Sequence, residues 1–213
     1  MSPAYAELGC RSNFTLLDGA SHPQELVATA AALGHAGLGL CDTNSLAGVV
    51  RGHVAAREFD LPYVVGCRLR LDDGAEYLAW PTDRTSYGRL TRLLSLGRMR
   101  SPKGECAITR EEMLAHAPGW CLAAVSPLRP DLAFADRLQA DARALRGVLA
   151  LPLLCTATVR FDDIDEDRLE ALAEMLNGAS KVTLLCGRGC RDAHGALLQL
   201  AEVLKSPIVH ALG

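Results

Sequence analysis

The chain has 213 residues, of which 49% are hydrophobic and 22% charged, and its formal net charge at pH 7 is -3. This composition is that of a folded globular protein, and the slightly acidic balance excludes binding to nucleic acid by overall charge alone. The eight cysteines follow no metal-binding or disulfide spacing, and neither a signal-peptide pattern nor an apolar run of ~20 residues is found, so we expect a cytoplasmic protein with free thiols.

Strand-length apolar runs alternate with helix-period segments in the first third of the chain. The pattern predicts strands at 5–8, 36–42 and 62–71, and helices at 23–34 and 45–59. Regular alternation of this kind indicates βαβ units, and therefore a parallel α/β sheet or barrel.

The alternation continues as far as about residue 150. It predicts strands at 76–81 and 120–127 and helices at 86–100 and 109–117. The second of these helices has a capping-box pattern, with Thr at its start and Glu three residues later. We therefore expect residues 1 to about 150 to form one curved, parallel-stranded sheet flanked by helices.

The sequence changes character beyond this point. An acidic helix is predicted at 161–176, followed by a strand at 181–187, a helix at 195–205 and a strand at 207–212. These elements amount to one more βαβ unit, whose apolar strands are suited to covering an open sheet edge. The sequence thus divides into residues 1–150 and 151–213, with the boundary between 148 and 160.

Four segments of the first part carry a resemblance to a known family. They read YAELGCRSNFTLLDGASHPQELV, LCDTNSLAGVVRGHVAAREFDLP, WPTDRTSYGRLTRLLSLGRMRSPKGE and ITREEMLAH. In this order they resemble the N-terminal PHP domain (polymerase and histidinol phosphatase type) of bacterial error-prone C-family DNA polymerases. The resemblance implies a distorted seven-stranded β/α barrel, of which residues 1–150 would form an incomplete version.

The same resemblance implies a cellular context. It points to damage-induced mutagenesis, translesion synthesis and DNA repair, with polymerase or mutasome components as partners. The polymerase core, with its catalytic carboxylates, is not among the 213 residues, so we expect no polymerase activity from them.

The resemblance also places the metal-ligand positions of active PHP domains on residues that suit a metal poorly. These positions fall on Gly9, Arg11, Asp42, Thr43, Arg68 and Glu76, and Asp18 lies nearby. A polynuclear site needs imidazoles and carboxylates with few cations around them. We therefore expect no catalytic residue and no metal centre, and at most weak binding of hydrated magnesium at Asp18 and Asp42.

Two interpretations of Arg11 and Arg68 are open. Their guanidinium groups could replace the charge of the metals and pair with Asp18 or Asp42, or they could be solvated surface side chains that contribute little.

Other candidate residues favour structural roles. His22 precedes Pro23 and is expected at a helix start rather than in a metal site. The basic segment 89–105 lacks aromatic residues for stacking on bases, so a solvated helix face is expected there. Three cysteines near strand ends are expected to be buried free thiols: Cys10, Cys41 and Cys67.

Residues 159–212 resemble a second family through LEALAEMLNGASKVTLLCGRGCRDAHGALLQLAEVLKSPIVHAL. The resemblance is to the start of the central domain of thiamine-diphosphate enzymes of the pyruvate oxidase type. It implies that a strand-to-helix turn lies against a flavin nucleotide; this turn comprises Gly187, Arg188, Gly189 and Cys190. Glycines allow close backbone approach there, but such a turn serves tight packing equally often.

Because the segment is a single βαβ unit, no cofactor is expected, and FAD would bind weakly at most. Three alternatives stay open: a fragment of the error-prone polymerase lineage, a flavin- or nucleotide-binding module related to pyruvate oxidase, and a non-functional fusion product.

Overall fold

The structure is a computed structural model that describes residues 5–127, 130–156, 173–174, 184–186, 194–205 and 208–210. Its strands are β1 (Ala6–Cys10), β2 (Gly37–Leu40), β3 (Tyr63–Val65), β4 (Cys67–Arg70), β5 (Glu76–Pro81), β6 (Trp120–Val125), β7 (Leu154–Thr156), β8 (Leu184–Cys186) and β9 (Ile208–His210). Its helices are α1 (Pro23–Ala32), α2 (Val49–Glu58), α3 (Arg84–Met99), α4 (Arg110–His116), α5 (Leu132–Ala144) and α6 (His194–Leu204).

The first sheet has the parallel architecture that the sequence predicts. Strands β1, β2 and β3 pair in this order, and both pairings are parallel. Apolar residues of α1 and α2 form a core with β2, including Val27, Leu38 and Ala55. Helix α1 begins as expected, because His22 is its N-cap and donates its backbone N–H to the Glu25 carboxylate at 2.7 Å.

The second sheet corrects the expectation of one parallel sheet. Strand order is β4-β5-β6-β7, and the β4–β5 and β5–β6 pairings are antiparallel, whereas β7 runs parallel to β6. The physical reason is clearest between β4 and β5, which are joined by residues 71–75. So short a connection reverses the chain, whereas a parallel pair needs a crossover of a dozen or more residues. Gly74 accommodates the reversal with φ +82°.

Gly66 marks the passage between the two sheets. The sequence predicts one strand over 62–71, but two strands form, on either side of this glycine. Its N–H donates to the Leu40 carbonyl at 3.0 Å, and a Cβ at this position would collide with the Cys41 thiol. The Arg68 N–H then donates to the Asp42 carbonyl at 3.1 Å. The second sheet is therefore a hydrogen-bonded continuation of the first.

The largest core lies between the second sheet and helices α3 and α4. It contains Leu90, Leu93, Met113 and Trp120, all fully buried. The spacing of Leu90 and Leu93 places both on one face of α3 and leaves most of the arginines exposed, as the sequence predicts for the basic segment. The capping box of α4 is also confirmed, since Thr109 and Glu112 exchange hydrogen bonds at 3.0 and 3.3 Å.

In the second part of the chain, β8 and β9 pair in parallel and α6 lies between them in sequence. Both strands fall within the strands predicted for this part, and α6 begins one residue before the predicted helix at 195–205. Cα atoms of β9 lie within 8 Å of Cα atoms of β1, an edge strand of the first sheet. Helix α5 and strand β7 form in addition to the elements that the sequence predicts, and most of the predicted helix at 161–176 lies outside the described residues. Of the helices described, none has the length and apolar character required to span a bilayer.

Candidate functional site

The residues at the predicted ligand positions lie at or just beyond the ends of β1 and β2 and near the starts of β4 and β5. The fold brings several of them together: Thr43 forms an isolated parallel bridge with Arg68, which in turn contacts Glu76. We describe them as two groups, the Asp42 cluster (Ser12, Thr15 and Asp42) and the Glu76 cluster (Arg68, Arg70 and Glu76).

The Asp42 cluster holds a buried carboxylate with neutral donors. The Asp42 side chain accepts hydrogen bonds from the Ser12 N–H, the Ser12 hydroxyl and the Thr15 hydroxyl, each at 2.8 Å. The same Thr15 oxygen accepts the Thr43 N–H at 3.0 Å. Both carboxylate oxygens are thus bonded to the loop that follows β1, which fixes this loop against the end of β2.

An ion pair links the first residue of this loop to a residue seven positions later. Arg11 donates to Asp18, and the two side chains are 35% and 40% exposed. The interpretation that Arg11 pairs with a nearby carboxylate is therefore confirmed. Gly9, which has no side chain to offer, donates its N–H to the Glu7 carboxylate at 2.8 Å.

The Glu76 cluster agrees with neither interpretation left open for Arg68, which were pairing with Asp18 or Asp42 and a solvated surface side chain. The Nε atoms of Arg68 and Arg70 each lie 2.7 Å from a different oxygen of Glu76. The antiparallel register of β4 and β5 explains why Glu76 is the partner of both arginines. It sets Arg70 directly opposite Glu76, and Arg68, two residues earlier in β4, lies diagonally across from Glu76. Burial opposes ionisation of Glu76, but the hydrogen bonds from Arg70 and Arg68 outweigh it and hold the pKa of this carboxyl below its usual value.

The donor set of this region does not fit the metal centre that the family resemblance implies. Gly9 offers no side-chain donor, and Arg11 and Arg68 bring positive charge. Asp18 and Asp42 are already engaged with the protein. Across the described parts of the chain, no group of three or more His, Cys, Asp or Glu side chains is placed to hold a metal ion.

A third polar group, the Asp141 cluster (Tyr77, Arg110 and Asp141), was missed by the sequence analysis. Arg110 donates to both oxygens of Asp141 at 2.7 and 2.8 Å and to Asp73 at 2.9 Å, and the Tyr77 hydroxyl also donates to Asp141. Burial opposes the charge of Arg110, but the hydrogen bonds to Asp73 and Asp141 raise its pKa above the usual value. Burial, reinforced by Asp141, likewise raises the pKa of Tyr77.

The predicted buried thiols are confirmed for Cys41 and Cys67, which are fully buried and free, while Cys10 is half-buried. Burial raises the pKa of the Cys10 and Cys67 thiols to about 12, so these groups are protonated and poor ligands or nucleophiles at neutral pH. His22 lies at its helix start and contacts Asn13 through a 2.8 Å side-chain hydrogen bond, as a structural residue would.

The cofactor turn predicted in the second part, Gly187, Arg188, Gly189 and Cys190, lies outside the described residues, between β8 and α6. It therefore stays a prediction.

Comparison with known proteins adds sequence relatives to this geometry. Residues 7–144 match the sequence model of the PHP domain. An error-prone DNA polymerase from Rhodopirellula baltica is 53% identical over 115 residues, which are 54% of this chain and 10% of that protein. One from Caulobacter vibrioides is 47% identical over 146 residues, which are 68% of this chain and 14% of that protein. The chain thus matches only a small part of the length of these relatives.

The fold also has neighbours among solved structures. An amidohydrolase from Chromobacterium violaceum, with bound sulfate and no metal, superposes with a TM-score of 0.55 over 85% of this chain and 86% of that one. The sequence identity is 16%, so the likeness concerns the fold alone.

Proposed function

Because the chain belongs to the PHP domain family, we propose that it represents the PHP domain of the error-prone polymerase lineage in a non-catalytic form. In this form, internal hydrogen bonds and ion pairs stand where active family members hold metal ions. The role is that of a folded scaffold within a polymerase-related context, without phosphoester hydrolysis by these residues.

One observation carries the proposal: the charged side chains at the ligand positions already have protein partners, whereas the buried Thr43 hydroxyl has none among the described residues. Asp42 is bonded by Ser12 and Thr15, and Arg68 is paired with Glu76. Metal-assisted hydrolysis instead requires carboxylates and imidazoles that are free to hold an ion and a water molecule near the substrate. A guanidinium group can neutralise a carboxylate as a metal would, but it has no lone pair with which to activate water.

The experiment measures hydrolysis of bis(p-nitrophenyl) phosphate and of single-stranded DNA by the 213-residue chain with zinc, manganese or magnesium. We expect no metal-dependent turnover from the wild type. The variants are Asp18→Asn, which removes the partner of Arg11, and the double restoration Gly9→His with Arg11→His. Asp136→Asn, on the exposed face of α5, is the matched control.

Metal-dependent turnover by the wild type that disappears in Asp18→Asn but persists in Asp136→Asn would contradict the proposal. Turnover that appears only in the double restoration would support it and would localise the loss to this loop. Inactivity of every variant would also support it and would show that the loss extends to the other ligand positions.

The printed name of the relatives, error-prone DNA polymerase, supports a polymerase-related role. We further propose damage-induced mutagenesis, translesion synthesis and DNA repair as its context, polymerase or mutasome components as its partners and the cytoplasm as its location. Deleting the coding sequence and counting mutants after ultraviolet irradiation tests this part. A mutation frequency that the deletion leaves unchanged would contradict it.

For the second part, we propose a division within the predicted range 148–160 and a βαβ unit that resembles a nucleotide-binding domain. Because β7 (Leu154–Thr156) pairs with β6, the division would follow residue 156. The parallel pairing of β8 with β9 supports this topology. An FAD-sized ligand needs contacts from several loops, so the turn at 187–190 should bind flavin weakly at most. Equilibrium dialysis with FAD tests this, and tight stoichiometric binding would favour the alternative of a flavin module. A chain without cooperative unfolding or cellular effect would instead fit a non-functional fusion product.

A further inference from the structure

A cleft of about 290 Å³ opens at the end of the second sheet. The β4–β5 turn, the end of β6 and the beginning of α5 surround it. Its walls include two arginines, Arg68 and Arg137, and its apolar lining includes Phe134 and Leu138. Polar groups that converge over an apolar lining are the usual features of a small-molecule site.

Both arginines have donor groups to spare. Arg68 is bonded to Glu76 through Nε, and its two Nη groups make no hydrogen bond to any residue that the structure describes, although its side chain is only 17% exposed. Arg137 is half-buried and makes neither a hydrogen bond nor an ion pair within the described ranges. Donors of a charged group that is largely removed from bulk water favour an acceptor.

One cation of the cleft, Arg137, makes no ion pair with a carboxylate of the described residues, although, against the effect of burial, its charge helps to lower the pKa of Asp73. Glu76 is paired with Arg68 and Arg70, and Arg110 bridges Asp73 and Asp141. When Arg137 is added, four guanidinium groups surround three carboxylates among the described residues of this region. A ligand with a single negative charge would balance the group.

We propose that this cleft binds a monocarboxylate that carries a compact apolar body, either a free acid or the carboxyl terminus of a peptide. The planar guanidinium fork matches the carboxylate in shape and charge. Phe134 and Leu138 provide the apolar contact. A phosphate dianion fits less well, because Asp73 and Glu76 also line the cleft and repel the second charge.

The test is isothermal titration calorimetry of the full chain with 3-methylbutanoate and with N-acetyl-glycyl-leucine. The C-terminal amide of the same peptide and inorganic phosphate are the comparison ligands. We expect both carboxylates to bind and the amide to bind at least tenfold more weakly. The free acid and the peptide terminus are distinguished by which of the two carboxylates binds more tightly, and either result supports the proposal.

Arg137→Gln should weaken carboxylate binding about tenfold, because a charged hydrogen bond is lost. This variant should fold normally, since Arg137 makes no hydrogen bond or ion pair within the described structure and only a longer-range interaction with Asp73 is lost. Arg92→Gln is the matched control, on the exposed side of α3 and outside the cleft lining. Equal affinity for acid and amide, tighter binding of phosphate, or an Arg137→Gln variant with wild-type affinity would each overturn the proposal.

Discussion

The Asp42 and Asp141 clusters are two solutions to the same physical problem, a carboxylate removed from water. Asp42 is 1% exposed and Asp141 is 2% exposed. The first is held by a backbone N–H and two hydroxyl groups of a loop, and the second by a guanidinium and a phenol. Burial alone therefore does not determine how a carboxylate is stabilised. The kind of donor that the neighbouring elements provide determines it.

The two clusters differ in how they would respond to losing the carboxylate. Ser12 and Thr15 are themselves buried, so their donors could not reach water. The side chain of Arg110 is 20% exposed and would keep its contact with Asp73. The Asp42 cluster, whose donors are all buried, is thus expected to depend more on its carboxylate than the Asp141 cluster, whose arginine is partly exposed and has a second carboxylate partner.

Asp42→Ala should produce the largest loss of stability. It leaves three buried donors without an acceptor, so we expect the free energy of unfolding to fall by about 4 kcal/mol. Urea denaturation followed by circular dichroism measures the loss. Asp136→Ala, on the exposed face of α5, is the control and should change little. A loss below ~1 kcal/mol for Asp42→Ala would show that water reaches the cluster.

Asp141→Ala should cost less, about 2 to 3 kcal/mol, because Arg110 keeps Asp73 and part of its solvent contact. Tyr77→Phe, which removes one hydrogen bond from this cluster, should cost about 1 kcal/mol. The same denaturation experiment compares all of these variants. If Asp141→Ala proves more destabilising than Asp42→Ala, the charged cluster is the more critical one and the comparison is reversed.

The Glu76 cluster should make a smaller contribution that depends on pH. Its arginines hold the folded-state pKa of Glu76 below the ordinary value of 4.5. A depressed pKa stabilises the folded state above the ordinary value, and this contribution disappears as the pH falls through the folded-state pKa. Allowing for solvent screening, we expect Glu76→Gln to cost about 1 kcal/mol at pH 7.

The difference between wild type and Glu76→Gln should shrink as the pH falls from 7 to 3. Urea denaturation of both proteins at a series of pH values within this range provides the check. A difference that stays constant would mean that Glu76 acts through packing or shape rather than through its charge.

The smallest effect is expected for the Arg11–Asp18 pair, since more than a third of each side chain, 35% and 40%, is exposed. Exposed pairs of this kind contribute less than about 1 kcal/mol and are screened by salt. Thermal unfolding of Arg11→Ala at low and high salt measures the contribution, with Arg92→Ala as the control. A large loss that salt does not reduce would show that this pair holds the loop through specific geometry.

Much of the local structure follows from the sequence because its causes are local. The helix starts at Pro23 and Arg110 were predicted from residues within one turn of them. The Arg11–Asp18 pair joins residues only seven positions apart in one loop, so pairing was foreseeable from the sequence. The departures from the metal-ligand pattern were likewise readable from residue types alone, since neither glycine nor arginine can replace histidine as a ligand.

What the tertiary structure decided depends on contacts between distant parts of the chain. Ser12 and Asp42 are 30 positions apart, and Tyr77 and Asp141 are 64 apart. No local sequence pattern predicts which buried hydroxyl group will form a hydrogen bond with which buried carboxylate. The partner of Arg68 depends on the antiparallel register of β4 and β5, which the sequence pattern did not reveal. The alternation of strands and helices indicates the order of the elements along the chain. It does not determine whether a strand pairs parallel or antiparallel with its neighbour.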